Sequence, residues 1–281
     1  QDRFRKLKEI ARSLDDLRDR DAERLLNEMG TTINSAADGV KARYWNCRGI
    51  LALHQSSDRE ALNCYEKALG LRPLSKKYIT NQLFLRYHMQ RKSYTGEPPA
   101  MDKNWIDSLE ALLHEHPDFS PAIRLKAYWI SELEGPEVAT DYLSSTPAWE
   151  NDKLLTRECA ADIYRDAGLN VQALSLLEEA EAYLLSSKPV YWSMRAFVLM
   201  RLALDDRGTS PELELQGYGP KHLNFVYLKK AFESYTKAIA GYREIGFPRL
   251  AEPSVTNFAV VAGLLNKLRA SEEACRLFIE Y

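Results

Sequence analysis

The chain has 281 residues, of which 45% are hydrophobic and 28% are charged, as is ordinary for a folded protein. Its formal net charge of -2 gives no general electrostatic reason to expect nucleic acid or an anionic membrane as a partner. No apolar run approaches the ~18 residues that a membrane-spanning helix needs, and the charged N-terminus is unlike a signal peptide, so no membrane partner is expected.

The first 40 residues predict an N-terminal cap. Apolar residues recur at helical spacing from 3 to 29, with charges of both signs between them. This pattern indicates either one amphipathic helix or a degenerate helical hairpin, and its heavy charge is typical of an end-cap that faces water. The segment Thr31–Gly39 is expected to be a linker or a short turn. Because the chain starts with Gln1 and not with Met, we also expect an excised fragment or a processed form.

The stretch from Ala42 to Pro73 has the clearest pattern in the chain. Residues four apart on a helix share one face, so its small and aromatic residues fall on the facing sides of two consecutive helices. Small side chains at Gly49 and Ala61 are expected where the two helix backbones approach closely. Ser57 and Glu60 predict a capping box at the start of the second helix, and Pro73 ends that helix. The pattern residues, at intervals of 4, 12, 4, 3 and 5, are Trp45, Gly49, Ala61, Tyr65, Ala68 and Pro73.

Pairs of small residues repeat this pattern along the chain. Four pairs are 12 residues apart, and Ala161 follows Ala127 by 34 residues. The remaining pair, Ala196 and Ala231, is 35 residues apart, which predicts an insertion of about 23 residues (35 less 12) near 203–226. A second insertion is predicted near 91–103, where two helical segments are interrupted. The five pairs are Gly49/Ala61, Ala127/Ala139, Ala161/Ala173, Ala196/Ala231 and Ala262/Ala274.

This register resembles the tetratricopeptide repeat (TPR), which places aromatic, small and proline residues at the same offsets. The resemblance covers residues 42–281, more weakly at 76–117. It implies an all-α fold, a right-handed α-α superhelix of about six to seven helical hairpins. Residues 1–40 would be the N-terminal cap and residues 41–281 the repeat array. The last repeat stops within a helix and is expected to be incomplete.

The resemblance also implies where a ligand would bind. In TPR arrays the first helix of each hairpin lines a concave groove, and here that lining mixes charged with aromatic side chains, as peptide-binding grooves do. Ile50, Tyr128 and Phe197 are equally expected to pack between neighbouring helices. The implied peptide- or protein-binding residues are Arg43, Asn46, Ile50, His54, Arg124, Tyr128, Glu158, Asp162, Arg165, Ser193, Phe197 and Arg201.

One subclass of the family is disfavoured. Members that bind chaperone tails hold a carboxylate with Lys, Asn and Arg side chains on two first helices. In this sequence the corresponding positions of the best repeat hold Asn46 and Ile50, and Cys47 and Cys159 occupy inner positions. The carboxylate clamp is therefore expected to be absent.

The two insertions are a second candidate contact surface. Both fall between the two helices of a hairpin, and such turns emerge along one edge of a stack. The alternative is a pair of passive loops, which an elongated fold tolerates at little cost. Candidate contact residues in the insertions are Tyr94, Pro98, Pro99, Tyr218 and His222.

No catalytic or metal site is predicted. The close histidines His114 and His116 are two apart, so on a helix they point away from each other. The four cysteines lack CxxC spacing, which favours buried thiols in a reducing cytosol, and a cytoplasmic location is expected. Phosphate-loop, GxSxG and HExxH motifs do not occur. We therefore expect a protein that is not an enzyme and needs no cofactor.

The sequence thus favours a protein–protein interaction module or scaffold that binds a protein or peptide segment through the groove or the inserted loops. A linked domain of the same polypeptide is an equivalent partner. One alternative is a regulatory or sensor array that controls an effector domain in a larger enzyme or signalling protein, which the unfinished last repeat favours. Another is a helical-repeat nucleic-acid binder, which the net charge and the lack of a basic stripe along the groove positions disfavour.

Overall fold

The computed structural model describes residues 2–92, 102–184, 188–204, 223–245 and 251–267, together with residue 276. Within these ranges the chain folds into fourteen α-helices and no β-strand, as the sequence predicted. None of these helices is both long and apolar enough to span a membrane. The candidate contact residues of the insertions, the small residue Ala274 and the fourth cysteine lie outside the described residues; they are Tyr94, Pro98, Pro99, Tyr218, His222, Ala274 and Cys275.

The chain divides by its contacts into two compact units, Gln1–Lys126 and Ala127–Tyr281, and the division falls inside one helix, α7 (Ser120–Glu134). The first unit also contains α1 (Asp2–Asp15), α2 (Asp19–Gly30), α3 (Asp38–His54), α4 (Asp58–Leu71), α5 (Lys76–Lys92) and α6 (Lys103–Glu115). The second contains α8 (Pro136–Ser145), α9 (Ala148–Asn151), α10 (Lys153–Asp166), α11 (Asn170–Glu181), α12 (Pro189–Leu204), α13 (Phe225–Glu244) and α14 (Glu252–Leu264). These described helices make six hairpins and the first helix of a seventh.

The N-terminal segment is a helical hairpin, which decides between the two predicted alternatives. Leu17, with a φ of 58°, turns the chain between α1 and α2. The apolar faces of both helices bury Leu7 and Leu26 in one core with Tyr44 of α3. The predicted linker contains a 3-10 turn, Ile33–Ser35, and the first residues of α3. The assignment of residues 1–40 as a cap and 41–281 as the array stays a prediction.

Gly49 makes room for an aromatic ring of the next helix. A Cβ atom at Gly49 would lie 2.5 Å from Cε1 of Tyr65, a residue that is 1% exposed. The need for a small residue at Gly49 therefore comes from the Tyr65 ring, and the predicted close approach of the two helix backbones stays a prediction.

The predicted capping box at the start of α4 is wrong, because the Ser57 side chain makes no capping hydrogen bond. The ψ of 68° at Ser57 departs from the extended conformation that aims a capping hydroxyl at the helix amides. Glu60 instead lies 3.6 Å from the guanidinium of Arg48 on α3.

Glycines set two turns of the second unit. Gly135, with a φ of 100°, precedes Pro136 at the start of α8, and Gly168, with a φ of 77°, separates α10 from α11. Glycine tolerates this left-handed region, which other residues avoid.

The short helix α9 was not predicted. It positions Trp149, whose ring lies 4.0 Å from the buried guanidinium of Arg157.

Side chains about one repeat apart in the sequence bond to each other. In the first unit, Asn81 Nδ2 donates to Asn46 Oδ1 over 2.9 Å, across a separation of 35 residues. In the second unit, Tyr128 Oη donates to Asp162 Oδ2 over 2.9 Å, across a separation of 34 residues. Matching positions of successive first helices are therefore in contact, as stacked helical hairpins require. This packing confirms the predicted all-α solenoid of helical hairpins.

Candidate functional site

Four predicted binding residues lie on α3, and three of them contact other parts of the first unit. Asn46 is 3% exposed and accepts the hydrogen bond from Asn81. His54 Nδ1 lies 2.7 Å from Asp19 Oδ1 at the start of α2. Ile50 packs against the buried core. These three side chains join helices to one another, so little of them is available to a ligand.

The fourth residue, Arg43, lines a cleft of about 670 Å³ in the first unit, which we call the basic cleft. Three cationic side chains line it, together with several apolar ones, and the lining includes no Asp or Glu. The lining residues are Phe4, Gly39, Arg43, Leu71, Arg72, Pro73, Leu74, Ser75, Lys76, Tyr78 and His116.

Sequence reasoning found only Arg43 of this cleft. Six of the eleven lining residues form the continuous segment 71–76, the turn between α4 and α5 with one helical residue on each side, which the repeat pattern marks only as a hairpin end at Pro73. The signal that could have revealed the cleft is the basic composition of that turn, with Arg72, Lys76 and Lys77 close together in the sequence. Arg124, the remaining predicted residue of the first unit, lies half-buried on α7.

Four predicted residues of the second unit, Tyr128, Asp162, Arg165 and Phe197, contact one another and are called the polar strip. Tyr128 on α7 donates to Asp162 on α10. Arg165 Nη2 lies 2.6 Å from Asp162 Oδ1, and the Arg165 guanidinium lies 6.0 Å from the centroid of the Phe197 ring on α12. The structure therefore brings these four residues together across three first helices.

The charges of the polar strip are fixed by its surroundings. Burial raises the pKa of Tyr128 well above its ordinary value, and the neighbouring Cys159 and Asp162 raise it further. Tyr128 is therefore a neutral hydrogen-bond donor at physiological pH. Burial alone would lower the pKa of Arg165, but Asp162 and Asp166 outweigh it, so that pKa is raised and the guanidinium stays charged.

Three further predicted residues lie half-buried beside the strip. Ser193 on α12 contacts the hydroxyls of Tyr242, at 3.2 Å, and Ser254, at 2.7 Å, so it joins three helices. Glu158 precedes Asp162 by four residues on α10, and Arg201 follows Phe197 by four residues on α12. Residues four apart share a helix face, so Glu158 and Arg201 extend the strip in opposite directions with opposite charges.

The described residues contain no group of three or more His, Cys, Asp or Glu side chains that could hold a metal ion. Cys47, Cys64 and Cys159 are buried, and none of them forms a disulfide within the described part of the chain. Burial raises the pKa of Cys47 to about 11, so this thiol stays protonated at neutral pH and is a poor nucleophile.

Solved structures with a similar fold exist. The human IFIT1 dimer with m7Gppp-AAAA matches with a TM-score of 0.61 and 14% identity, over 92% of this chain and 56% of that chain. NprR in complex with its cognate peptide NprX matches with a TM-score of 0.52 and 15% identity, over 99% of this chain and 87% of that chain. The apo quorum sensor NprR from B. thuringiensis gives a TM-score of 0.50 and 13% identity, over 99% and 86%. IFIT1 and NprR are TPR-type helical-repeat proteins.

This chain has a TPR-type fold. The fold is all that the likeness shows, because the sequence identities are 13–15%. The chain spans 56% of the length of the IFIT1 chain that it matches. No protein-family model and no curated protein sequence matches it.

Proposed function

We propose that this chain is a non-catalytic interaction module that binds a segment of another protein along the polar strip. The observation that carries the proposal is the fixed, half-exposed Arg165, whose side chain is 26% exposed and whose position is set by neighbours on both sides. The peptide complex of NprR supports this choice of partner class, since it shows a peptide bound to a protein of similar fold.

Arg165 has donors to offer a partner. Its bonds to Asp162 and Asp166 use Nη2 and Nε, and no bond within the described residues uses Nη1. A guanidinium carries five N–H donors, so a backbone carbonyl of a bound segment can accept from Nη1. Because two carboxylates and the Phe197 ring already hold the side chain, binding loses little side-chain entropy.

The flanking residues give the surface a direction. Glu158 lies on one side of the strip and Arg201 on the other, each half-buried. A bound segment with a basic residue toward Glu158 and an acidic residue toward Arg201 would complement both charges, and a hydrophobic side chain would pack on Phe197. Complementary charges of this kind contribute more to specificity and association rate than to affinity.

The experiment is a selection of phage-displayed 12-residue peptides on the full chain, followed by affinity measurements with synthetic versions of the selected peptides. Phe197→Ala and Arg201→Glu should each weaken binding by tenfold or more without lowering the thermal midpoint. Lys229→Glu, an exposed charge on α13 outside the strip, is the matched control and should bind as the unaltered chain does. Selected peptides that bind all three variants equally would place the interaction elsewhere and contradict the proposal.

Single-stranded RNA is the competing ligand, because the IFIT1 structure of similar fold contains m7Gppp-AAAA. A mobility-shift titration with a capped oligoadenylate distinguishes the two. We expect no shift at 150 mM salt, since a basic stripe does not follow the strip. A mobility shift that weakens steeply as salt rises and is lost in Arg201→Glu would show that RNA, and not a protein segment, is the ligand of the strip.

A further inference from the structure

The basic cleft of the first unit is positively charged without internal compensation. Arg43, Arg72 and Lys76 line it, and none of the other lining residues is acidic. Asp38 lies close in sequence, next to Gly39, but its carboxylate is 3.6 Å from Lys41 Nζ. Within the described residues, neither Arg43 nor Arg72 forms an ion pair with a carboxylate. Within the described part of the chain, the charges of these two arginines are therefore not neutralised by a carboxylate, so a ligand with negative charge would complement them.

The backbone is shaped to admit Arg72. A Cβ atom at Gly39 would lie 2.6 Å from Arg72 Nη2, so the guanidinium lies directly against the start of α3. Burial raises the pKa of Tyr78, whereas the positive charges of Arg43 and Arg72 each lower it. Both guanidinium groups are therefore close enough to the Tyr78 hydroxyl to affect its ionisation. Lys76 is held over the Phe119 ring at 4.8 Å. Arg43 and Arg72 therefore both lie near Tyr78, and Lys76 lies beside Phe119 on the lining of the same cleft.

An apolar rim adjoins these cations. Leu74 is 92% exposed and Phe4 is 49% exposed, and both line the cleft with Leu71 and Pro73. Exposed large apolar side chains beside a cleft mark contact surfaces when they are grouped. The cleft volume of about 670 Å³ is within the range of sites that hold small ligands or short chain segments.

We propose that the basic cleft binds an acidic segment of a partner protein. One carboxylate of the segment would lie between Arg43 and Arg72, where arginine can bind it in bidentate geometry, and a neighbouring apolar side chain would pack on Leu71 and Leu74. Three cations beside an apolar rim suit a segment that carries both acidic and apolar side chains. They suit a nucleic-acid backbone less well, because its phosphates need a longer row of cations. The site is in the first unit and does not depend on the polar strip.

Fluorescence anisotropy on the full chain tests this site with defined probes. The first probe is a rhodamine-labelled peptide in which two leucines are flanked by four glutamates, and the second replaces the glutamates by glutamines. A third probe is a single-stranded oligoadenylate RNA. We expect the acidic peptide to bind at least tenfold more tightly than its glutamine counterpart, and its affinity to fall as salt rises.

Variants locate the binding. Arg72→Gln should weaken the acidic peptide by about fivefold or more, and Arg43→Gln with Arg72→Gln should abolish its preference over the glutamine peptide. Gly39→Ala displaces Arg72 without changing any charge and should weaken the same peptide. Arg59→Gln, an exposed arginine on α4 that does not line the cleft, is the matched control and should have no effect.

Circular dichroism confirms that each variant is folded before binding is compared. Equal affinity for the glutamate and glutamine peptides, or binding that survives the double arginine substitution, would overturn the proposal. Tighter binding of the RNA that requires Arg43 and Arg72 would overturn it as well. The polar strip is intact in all of these variants, so its own peptide selection stands or fails separately.

Discussion

Tyr128 and Asp162 occupy the same position of two successive helical hairpins, and the Tyr128 hydroxyl donates a 2.9 Å hydrogen bond to the Asp162 carboxylate. Asp162 also holds Arg165 at 2.6 Å, so the pair connects α7 to the cation of the polar strip. The bond therefore has two roles: it joins neighbouring first helices, and it fixes the side chain proposed to meet a partner.

Tyr128→Phe removes this bond and keeps the ring. We expect the free energy of unfolding to fall by about 1–2 kcal/mol, because Asp162 loses a neutral donor while it keeps Arg165. Urea unfolding of Tyr128→Phe, Asp162→Asn and the double variant measures the coupling between the two residues. Tyr183→Phe, on an exposed ring, is the control. Additive effects of the two substitutions would show that the bond does not stabilise the fold.

Gly49→Ala tests the contact between α3 and α4. The new Cβ atom would lie 2.5 Å from the Tyr65 ring, which is buried and cannot move away freely, so we expect a loss of about 1–3 kcal/mol. Gly70 is also helical, on α4, and a Cβ atom there would meet nothing within 4 Å. Gly70→Ala is therefore the matched control and should stabilise by about 0.5–1 kcal/mol. Equal effects at both glycines would contradict the packing described.

The hairpin periodicity was predictable from the sequence because small and aromatic residues recur where the two helices of a hairpin pack together, as at Gly49 and Tyr65. The polar strip was predictable as a set of positions, since repeat register alone places Asp162 and Phe197 on first helices. Register could not predict that Asn46 and His54 bond within the fold, because each bond depends on a partner about 35 residues away. The basic cleft escaped prediction because its lining converges from a turn and from helices distant in the sequence.

Cys47 should be inert to alkylation in the folded chain. Burial raises the pKa of its thiol to about 11, and the residue is 2% exposed. Peptide mapping after iodoacetamide treatment at pH 7.5 should therefore find Cys47 modified only at the rate of unfolding. The same treatment in 6 M urea provides the fully reactive reference. Rapid labelling under native conditions would contradict the burial of this side chain.

His88 should make stability depend on pH near neutrality. Burial is the main cause that lowers its pKa below the ordinary value of 6.5, and Lys92 lowers it further. The folded chain therefore favours neutral His88, so this contribution is present above pH ~6.5 and is lost as the pH falls through the lower, folded pKa. His88→Gln removes the titration.

The measurement for His88 is the free energy of unfolding at pH 7.5 and pH 5.5 for the unaltered chain and for His88→Gln. The unaltered chain should lose more stability than the variant over this interval. An identical pH dependence in the two proteins would show that His88 titrates alike in the folded and unfolded states.

Hydrogen–deuterium exchange of the full chain, with and without a peptide selected on it, tests the proposed function most directly. A segment bound along the polar strip should slow exchange in α10 and α12, around Arg165 and Phe197, and leave exchange in α13 around Lys229 unchanged. Slower exchange confined to helices outside the strip, or none at saturating peptide, would contradict the assignment of the strip as the binding surface.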